Sequence, residues 1–243
     1  LSIYLFILVV GLCAGALTGI IGTGSTIILL PILVAHFGPK QAVPVMAIAA
    51  LMANIGKMVA WRREVDWRAF AAYSVTGVPA AALGARTLLV LPARGVDLAL
   101  GAFFLVMIPA GRWLRARRFR IGLWQLALAG AAIGFLTGIV ISTGPLSVPA
   151  FLAYGLVKGA FLATEAASSL ALFVSKVATF RELGALPVPL ILRGLLIGSS
   201  VMAGSFVGKQ VVQRVSIPTF QYLLDLLLLC SGLSLIWDAL SGG

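Results

Sequence analysis

Two stretches decide the fold: LTGIIGTGSTIILLP, from Leu17 to Pro31, and LTGIVISTGPLSVP, from Leu136 to Pro149. In each, a long apolar run is interrupted by a cluster of Gly, Ser and Thr. A short segment follows and ends near a further glycine, Gly38 or Gly155. Backbone polar groups cannot be left unpaired in lipid, so a break at membrane depth lines a cavity or is buried in protein. Helices broken at matching places in two halves of a chain are the sequence pointer to a transporter's binding site.

Composition places the breaks in a membrane. Of the 243 residues, 61% are hydrophobic and 10% charged, and the mean hydropathy is +1.11. A soluble domain of that size needs more polar cover. Several apolar runs reach the roughly 20 residues of a membrane crossing, without the polar alternation of outer-membrane strands. The expected class is therefore an all-α polytopic membrane protein. Spans are predicted at 2–21, 25–37, 41–61, 69–91, 95–113, 122–141, 145–157, 160–180, 189–210 and 216–238. The opening LSIYLFILVV has no basic flank and its apolar run outlasts a signal peptide, so it reads as the first span.

The two halves align beyond the opening motif. Lys57-Met-Val-Ala-Trp-Arg62 matches Lys176-Val-Ala-Thr-Phe-Arg181, and Leu83-Gly84-Ala85-Arg86 resembles Val207-Gly208-Lys209-Gln210. Internal duplication divides the chain into a first membrane repeat, 1–113, a basic linker, 114–121, and a second repeat, 122–243. Five segments per half is an odd number, so if the short ones cross, the second half is inverted. With the N-terminus outside, Arg62, Arg63 and Arg68, the central Arg112, Arg115, Arg117, Arg118 and Arg120, and the Lys209 and Arg214 linker all fall inside. The rival makes the short segments re-entrant, with eight crossings and parallel halves. It puts Lys209 and Arg214 outside but Arg181 and Arg193 inside, and charge favours inversion.

The net charge of +11 thus sets orientation rather than binding nucleic acid, and the central arginines can contact anionic membrane lipid. Cys13 and Cys230 lie in apolar segments without metal-ligand spacing and read as small buried side chains. His36 has no second histidine, and HExxH, GxSxG and Walker patterns are absent. No cofactor, metal or enzymatic activity is expected.

What remains is an anion site. Helices restarting at the breaks aim free N–H groups and a positive dipole end into them. The candidates are Gly22, Thr23, Gly24 and Ser25 in the first copy, and Ser142, Thr143 and Gly144 in the second, where Pro145 suits a first helical turn. Glycine-mediated packing is the alternative for any single glycine, but two matched breaks favour a site. Lys57 and Lys176 each lie about four residues before the aromatic end of a span, where they either snorkel to the interface or hold a cation near the cavity. Asn54 is three residues from Lys57 and can share its face. Glu165, the one acid well inside its span, is paired, protonated or used in proton movement, with Ser168 and Ser169 one turn on. Asp225 reads as an interhelical contact, and Arg86 as a snorkelling residue.

On the paired openings Gly15 to Pro31 and Gly134 to Pro149, with the Gly84 and Gly208 segments behind them, the chain resembles the sulfite exporter TauE/SafE family, also called the 4-toluene sulfonate uptake permease family. The resemblance spans the whole sequence. It implies a secondary carrier of sulfite, sulfonates or related organosulfur anions in the bacterial inner membrane, acting by alternating access. The chain departs from a fully glycine-rich pattern at Thr23 and Ser25, and at Ile141 and Ser142. An anion channel, or a non-transporting subunit docking a partner through the arginine-rich linker, are the competing readings.

Overall fold

The computed structural model of the chain describes residues 2–21, 25–116, 120–140 and 144–211, with isolated helical positions between 226 and 240. All regular structure among them is helical. The helices are α1 (Ser2–Ile21), α2 (Ser25–Phe37), α3 (Pro39–Trp61), α4 (Trp67–Val90), α5 (Ala93–Ala116), α6 (Leu123–Val140), α7 (Gly144–Tyr154), α8 (Lys158–Glu182) and α9 (Val188–Val211), with a 3₁₀ turn at Arg62–Glu64. Every boundary falls within three residues of its expected place. Most of the expected last span, 216–238, and Asp225 and Cys230 within it, lie outside the described residues.

Punctuation residues explain the ends. Gly38 and Gly155 take φ of 72° and 109°, so α2 and α7 each stop where a residue without Cβ can turn the backbone left-handed. Asp66 caps α4, its carboxylate accepting from the backbone N–H of Arg68 and Ala69 at 3.0 Å each.

The surface is apolar and the interior partly polar, the reverse of a soluble domain. Val75, Val90 and Trp124 stand 73, 85 and 67% exposed, while Lys176 and Glu165 are buried. One described helical stretch, Gly159–Glu182, is by length and composition apolar enough to cross a bilayer, and Lys40–Gly56, Leu123–Ile139 and Val188–Gly204 are shorter apolar pieces. Cys13 corrects an expectation, because it is exposed rather than buried. Helix α1 turns Gly11, Ala14 and Gly15 inward, which sends Cys13 out beside Leu12.

Glycine sets the closest helix pairs. A Cβ on Gly130, Gly134 or Gly138 of α6 would run into the backbone of Tyr73, Gly77 or Ala81 of α4. On α1, Gly15 meets the backbone of Val201 in α9, and Gly204 of α9 meets that of Leu12. Backbones this close need small residues and exploit the packing that drives helix association in lipid. Positions 232 and 236 pack on Gly101 of α5 in the same way.

Contacts along each pair fix the directions. Residue numbers rise together from Tyr73 and Gly130 to Ala81 and Gly138, so α4 and α6 are parallel. They rise together again from Asp66 and Thr164 to Val78 and Ser175, so α8 runs the same way. On the other side, Gly194 meets Val45 and Ile48, and Gly198 meets Ala49, making α9 parallel to α3. Between the two groups the sense reverses. The Glu64 carboxylate, just after α3, lies against Gly159 near the start of α8, while Arg193 at the start of α9 stacks at 5.1 Å on Phe37 just before α3. The core is thus two sets of parallel helices, α1 with α3 and α9 and α4 with α6 and α8, joined where α3 meets α8.

Candidate functional site

Helix α7 positions the second break. The Ile121 N–H, just before α6, donates to the Ala153 carbonyl near the end of α7 at 3.0 Å, so the two helices form a hairpin returning to one face. That face also carries Arg62, Arg63 and Arg120. With 11 residues, α7 rises only ~16 Å above it, about half the depth of a hydrocarbon core. Its N-terminal N–H groups therefore end no more than ~16 Å from that face. Phe151 of α7 packs on Tyr73 of α4 with centroids 4.9 Å apart, and Ser147, one turn deeper, is buried.

Lys176 marks the other edge of the break. It is fully buried and does not snorkel: Nζ donates to the Thr137 carbonyl at 2.7 Å and stands 5.4 Å from the Phe180 ring centroid. Thr137 lies in the last turn of α6, where carbonyls lack partners within their own helix. The amine thus completes one of these and is held one turn from residues 141–143. Among the described residues no carboxylate is recorded against it; its partners are a carbonyl and a ring.

A second polar group lies where α8 meets α4 and α3. Glu165 is buried and accepts a hydrogen bond from Ser169 Oγ at 2.9 Å. Ser168, one turn along, is fully buried, and its hydroxyl has no partner, nor has that of Ser74 on α4. The Asn54 side-chain amide donates to the Ala50 carbonyl at 2.9 Å, leaving Oδ1 unpartnered. The second N–H of that amide is not used by the Ala50 bond.

The remaining expected residues divide. Ser25 is buried at the start of α2, while Gly22, Thr23, Gly24, Ser142 and Thr143 lie outside the described residues. Gly144 opens α7, and Lys57 lies in α3, its side chain outside what is described. His36 is exposed, with Nδ1 2.7 Å from the Ile32 carbonyl one turn back; Arg86 is exposed. Tyr73, Ser74 and Thr137 were missed. The polar run Tyr73, Ser74 and Thr76 in the middle of α4 is the signal for the first two; Thr137 acts through its main chain and gives none.

Comparison with known proteins decides the family. The model of the sulfite exporter TauE/SafE family matches residues 7–235. The chain belongs to that family. No curated protein and no solved structure matches it. As a TauE/SafE chain it is a membrane protein of a transporter family rather than an enzyme family, and the match runs through both breaks and all nine described helices.

Proposed function

We propose that this TauE/SafE chain is a secondary transporter of the bacterial inner membrane that exports a small sulfur-containing oxyanion, sulfite or a related sulfonate. The observation that carries this is the buried Lys176 amine at the end of α6, beside the second break from which the short helix α7 restarts. The anion contacts are assigned to Ser142, Thr143 and the N-terminal turn opened by Gly144, with Lys176 behind them. Gly22, Thr23, Gly24 and Ser25, with Lys57, form the counterpart. Asn54, whose amide keeps one N–H beyond its bond to Ala50, belongs to the Lys57 side of the site.

Inverted repeats are supported by the packing. Gly11 and Gly130, Gly15 and Gly134, and Lys57 and Lys176 are all 119 residues apart, while Gly84 and Gly208 are 124 apart. Gly11 approaches Ser200 and Gly130 approaches Thr76; Gly15 approaches Val201 and Gly134 approaches Gly77. Both partner pairs are again 124 apart. The antiparallel sense of α3 and α8, counterparts in the duplication, favours inversion over parallel halves. On this reading the arginine-bearing face is cytoplasmic, as the positive-inside rule asks. Alternating access then rocks α1, α2, α3 and α9 against α4, α6, α7 and α8, each body drawing helices from both halves. Coupling is assigned to Glu165, through a proton.

Efflux of isotopically labelled sulfite from vesicles reconstituted with the purified chain tests the proposal. Saturable flux that a pH gradient alters and other oxyanions compete for is the expected result. Absence of any anion flux from correctly folded protein overturns it, and single-channel currents would replace the carrier cycle with a pore.

A further inference from the structure

We propose that Tyr73 is the positioning residue through which Glu165 acts on the short helix α7, and so on the second break. That role rests on the transport reading, since Glu165 is the group to which coupling is assigned.

Three helices bring the parts together. Tyr73 of α4 is 2% exposed, and its ring packs on Phe151 of α7 with centroids 4.9 Å apart. Both belong to one buried cluster with Phe161 and Leu172 of α8. Two hydrogen bonds fix the register of α4 against α8: the Asp66 N–H donates to Thr164 Oγ1, and Ser175 Oγ donates to the Val78 carbonyl, each at 2.9 Å. Between them Gly77 sits on Leu172, a Cβ there lying 3.1 Å from the leucine Cδ1. Tyr73 is one turn before Gly77, and Glu165 two turns before Leu172, so both belong to the faces that meet there. A helical side chain leans toward the N-terminus of its helix, which carries the long phenol toward the level of Glu165. The carboxylate and the phenol interact electrostatically. Glu165 also accepts from Ser169 Oγ at 2.9 Å, so Tyr73 is one partner of a carboxylate that has others.

Helix α8 packs against α3, α4, α6, α7 and the 3₁₀ turn. Around Glu165 the ionisable residues on these are Lys57, whose side chain lies outside what is described, then Arg62, Arg63 and Glu64, Asp66 and Arg68, and Tyr154; α6 carries none. Arg62, Arg63, Glu64 and Arg68 are exposed, Tyr154 is half-buried, and the Asp66 carboxylate caps α4. On α8 itself, Lys158 opens the helix and Lys176 lies ~16 Å of rise further on. Tyr73 is buried, joined electrostatically to Glu165, and in contact with α7.

The fold does not demand this chemistry. Under the duplication, the positions 119 before Phe151 and Glu165 hold Ile32 and Met46, and the position 124 after Tyr73 holds Ile197. All three belong to one hydrophobic cluster, Met46 and Ile197 buried in it and Ile32 packed against it. Aliphatic side chains and a thioether thus serve for packing at the first break. At the second, the same positions carry two aromatic rings, a hydroxyl and a carboxylate. The link they make is short. A carboxylate attracts the phenol O–H, and its protonated form does so far less. In a close-packed junction the hydroxyl follows only by tilting the ring, and the ring bears on Phe151, two turns from the Gly144 end of α7. A change of charge on Glu165 therefore reaches the helix whose first turn is assigned to the anion.

Hydrogen exchange of the α7 amides in the full chain, corrected for the intrinsic rate at each pH, is paired with sulfite flux under a pH gradient. Protection of α7 should change with pH in wild-type protein and lose that change in Glu165→Gln. Tyr73→Phe, which keeps the ring and its packing, should lose it as well. Its gradient-driven flux should fall by about fivefold or more while half-saturating sulfite stays within about twofold, because Tyr73 does not touch the anion. Phe151→Leu, which weakens the link on the α7 side, should behave in the same way. An α7 insensitive to pH in wild-type protein overturns the link, as does a wild-type response of α7 in both Tyr73→Phe and Phe151→Leu. If α7 responds through Glu165 and Tyr73 but the wild-type chain moves no sulfite, the link stands and the transport reading falls. If sulfite moves and Tyr73→Phe keeps the wild-type response to the gradient, the link alone falls.

Discussion

A lysine that ends on a main-chain carbonyl inside a membrane protein has a narrow set of uses, and the proposed function gives Lys176 one of them. Its amine donates to the Thr137 carbonyl at the edge of a helix break and meets no carboxylate among the described residues. On the proposed function, an arriving oxyanion would be its further partner. Lys176→Met, which keeps the stem and removes the donors, should lower sulfite flux at least tenfold; equal flux in equal amounts of folded protein would remove the lysine from the mechanism. Lys176→Arg should rescue only in part, because a guanidinium fork does not fit where a compact amine reaches one carbonyl. The recurrence of this residue at Lys57 was legible in the sequence. Whether it snorkels was not, because that depends on where the end of α6 falls, and a carbonyl leaves no mark in the residue string.

Among the elements, the α4–α6 pair is the most exposed to single substitutions. A Cβ at Gly134 would fall 2.8 Å from the Gly77 Cα, closer than the two backbones allow without separating. Gly134→Leu should destabilise the protein by about 1–3 kcal/mol, seen as a lower melting temperature in detergent. Gly122→Ala, whose Cβ would have nothing nearer than 3.9 Å, is the control and should be neutral. At Gly155, where α7 ends with φ of 109°, alanine should cost about 1 kcal/mol and loosen the hairpin that fixes the depth of the break. Unchanged melting in both glycine variants would count against glycine-set packing. The helix limits were readable because Gly, Pro and Asp punctuate them; the pairing was not, since the four-residue glycine spacing on α6 announces a close neighbour without naming it.

For the whole molecule, the assignment of bodies has a direct test. Cysteines placed across α4 and α6, such as at Thr76 and Ala127, join helices of one proposed body and should leave flux within about twofold when crosslinked. Cysteines across α3 and α8, which join the two bodies, should abolish it reversibly. Equal inhibition by both would mean that the bodies are divided elsewhere. The sequence suggests the duplication and the basic linker, but not that α4 packs on α6 and α9 on α1, because in the proposed duplication equivalent faces fit either their own half or the other. That pairing also constrains biosynthesis. When α4 leaves the ribosome, the glycine face it is built to meet has not been made; α1 must likewise wait for α9. The first half emerges with its principal contacts unformed and stays dependent on the second until nearly the whole chain is inserted, so truncation at the linker should leave a fragment open to proteolysis that the separately expressed second half protects.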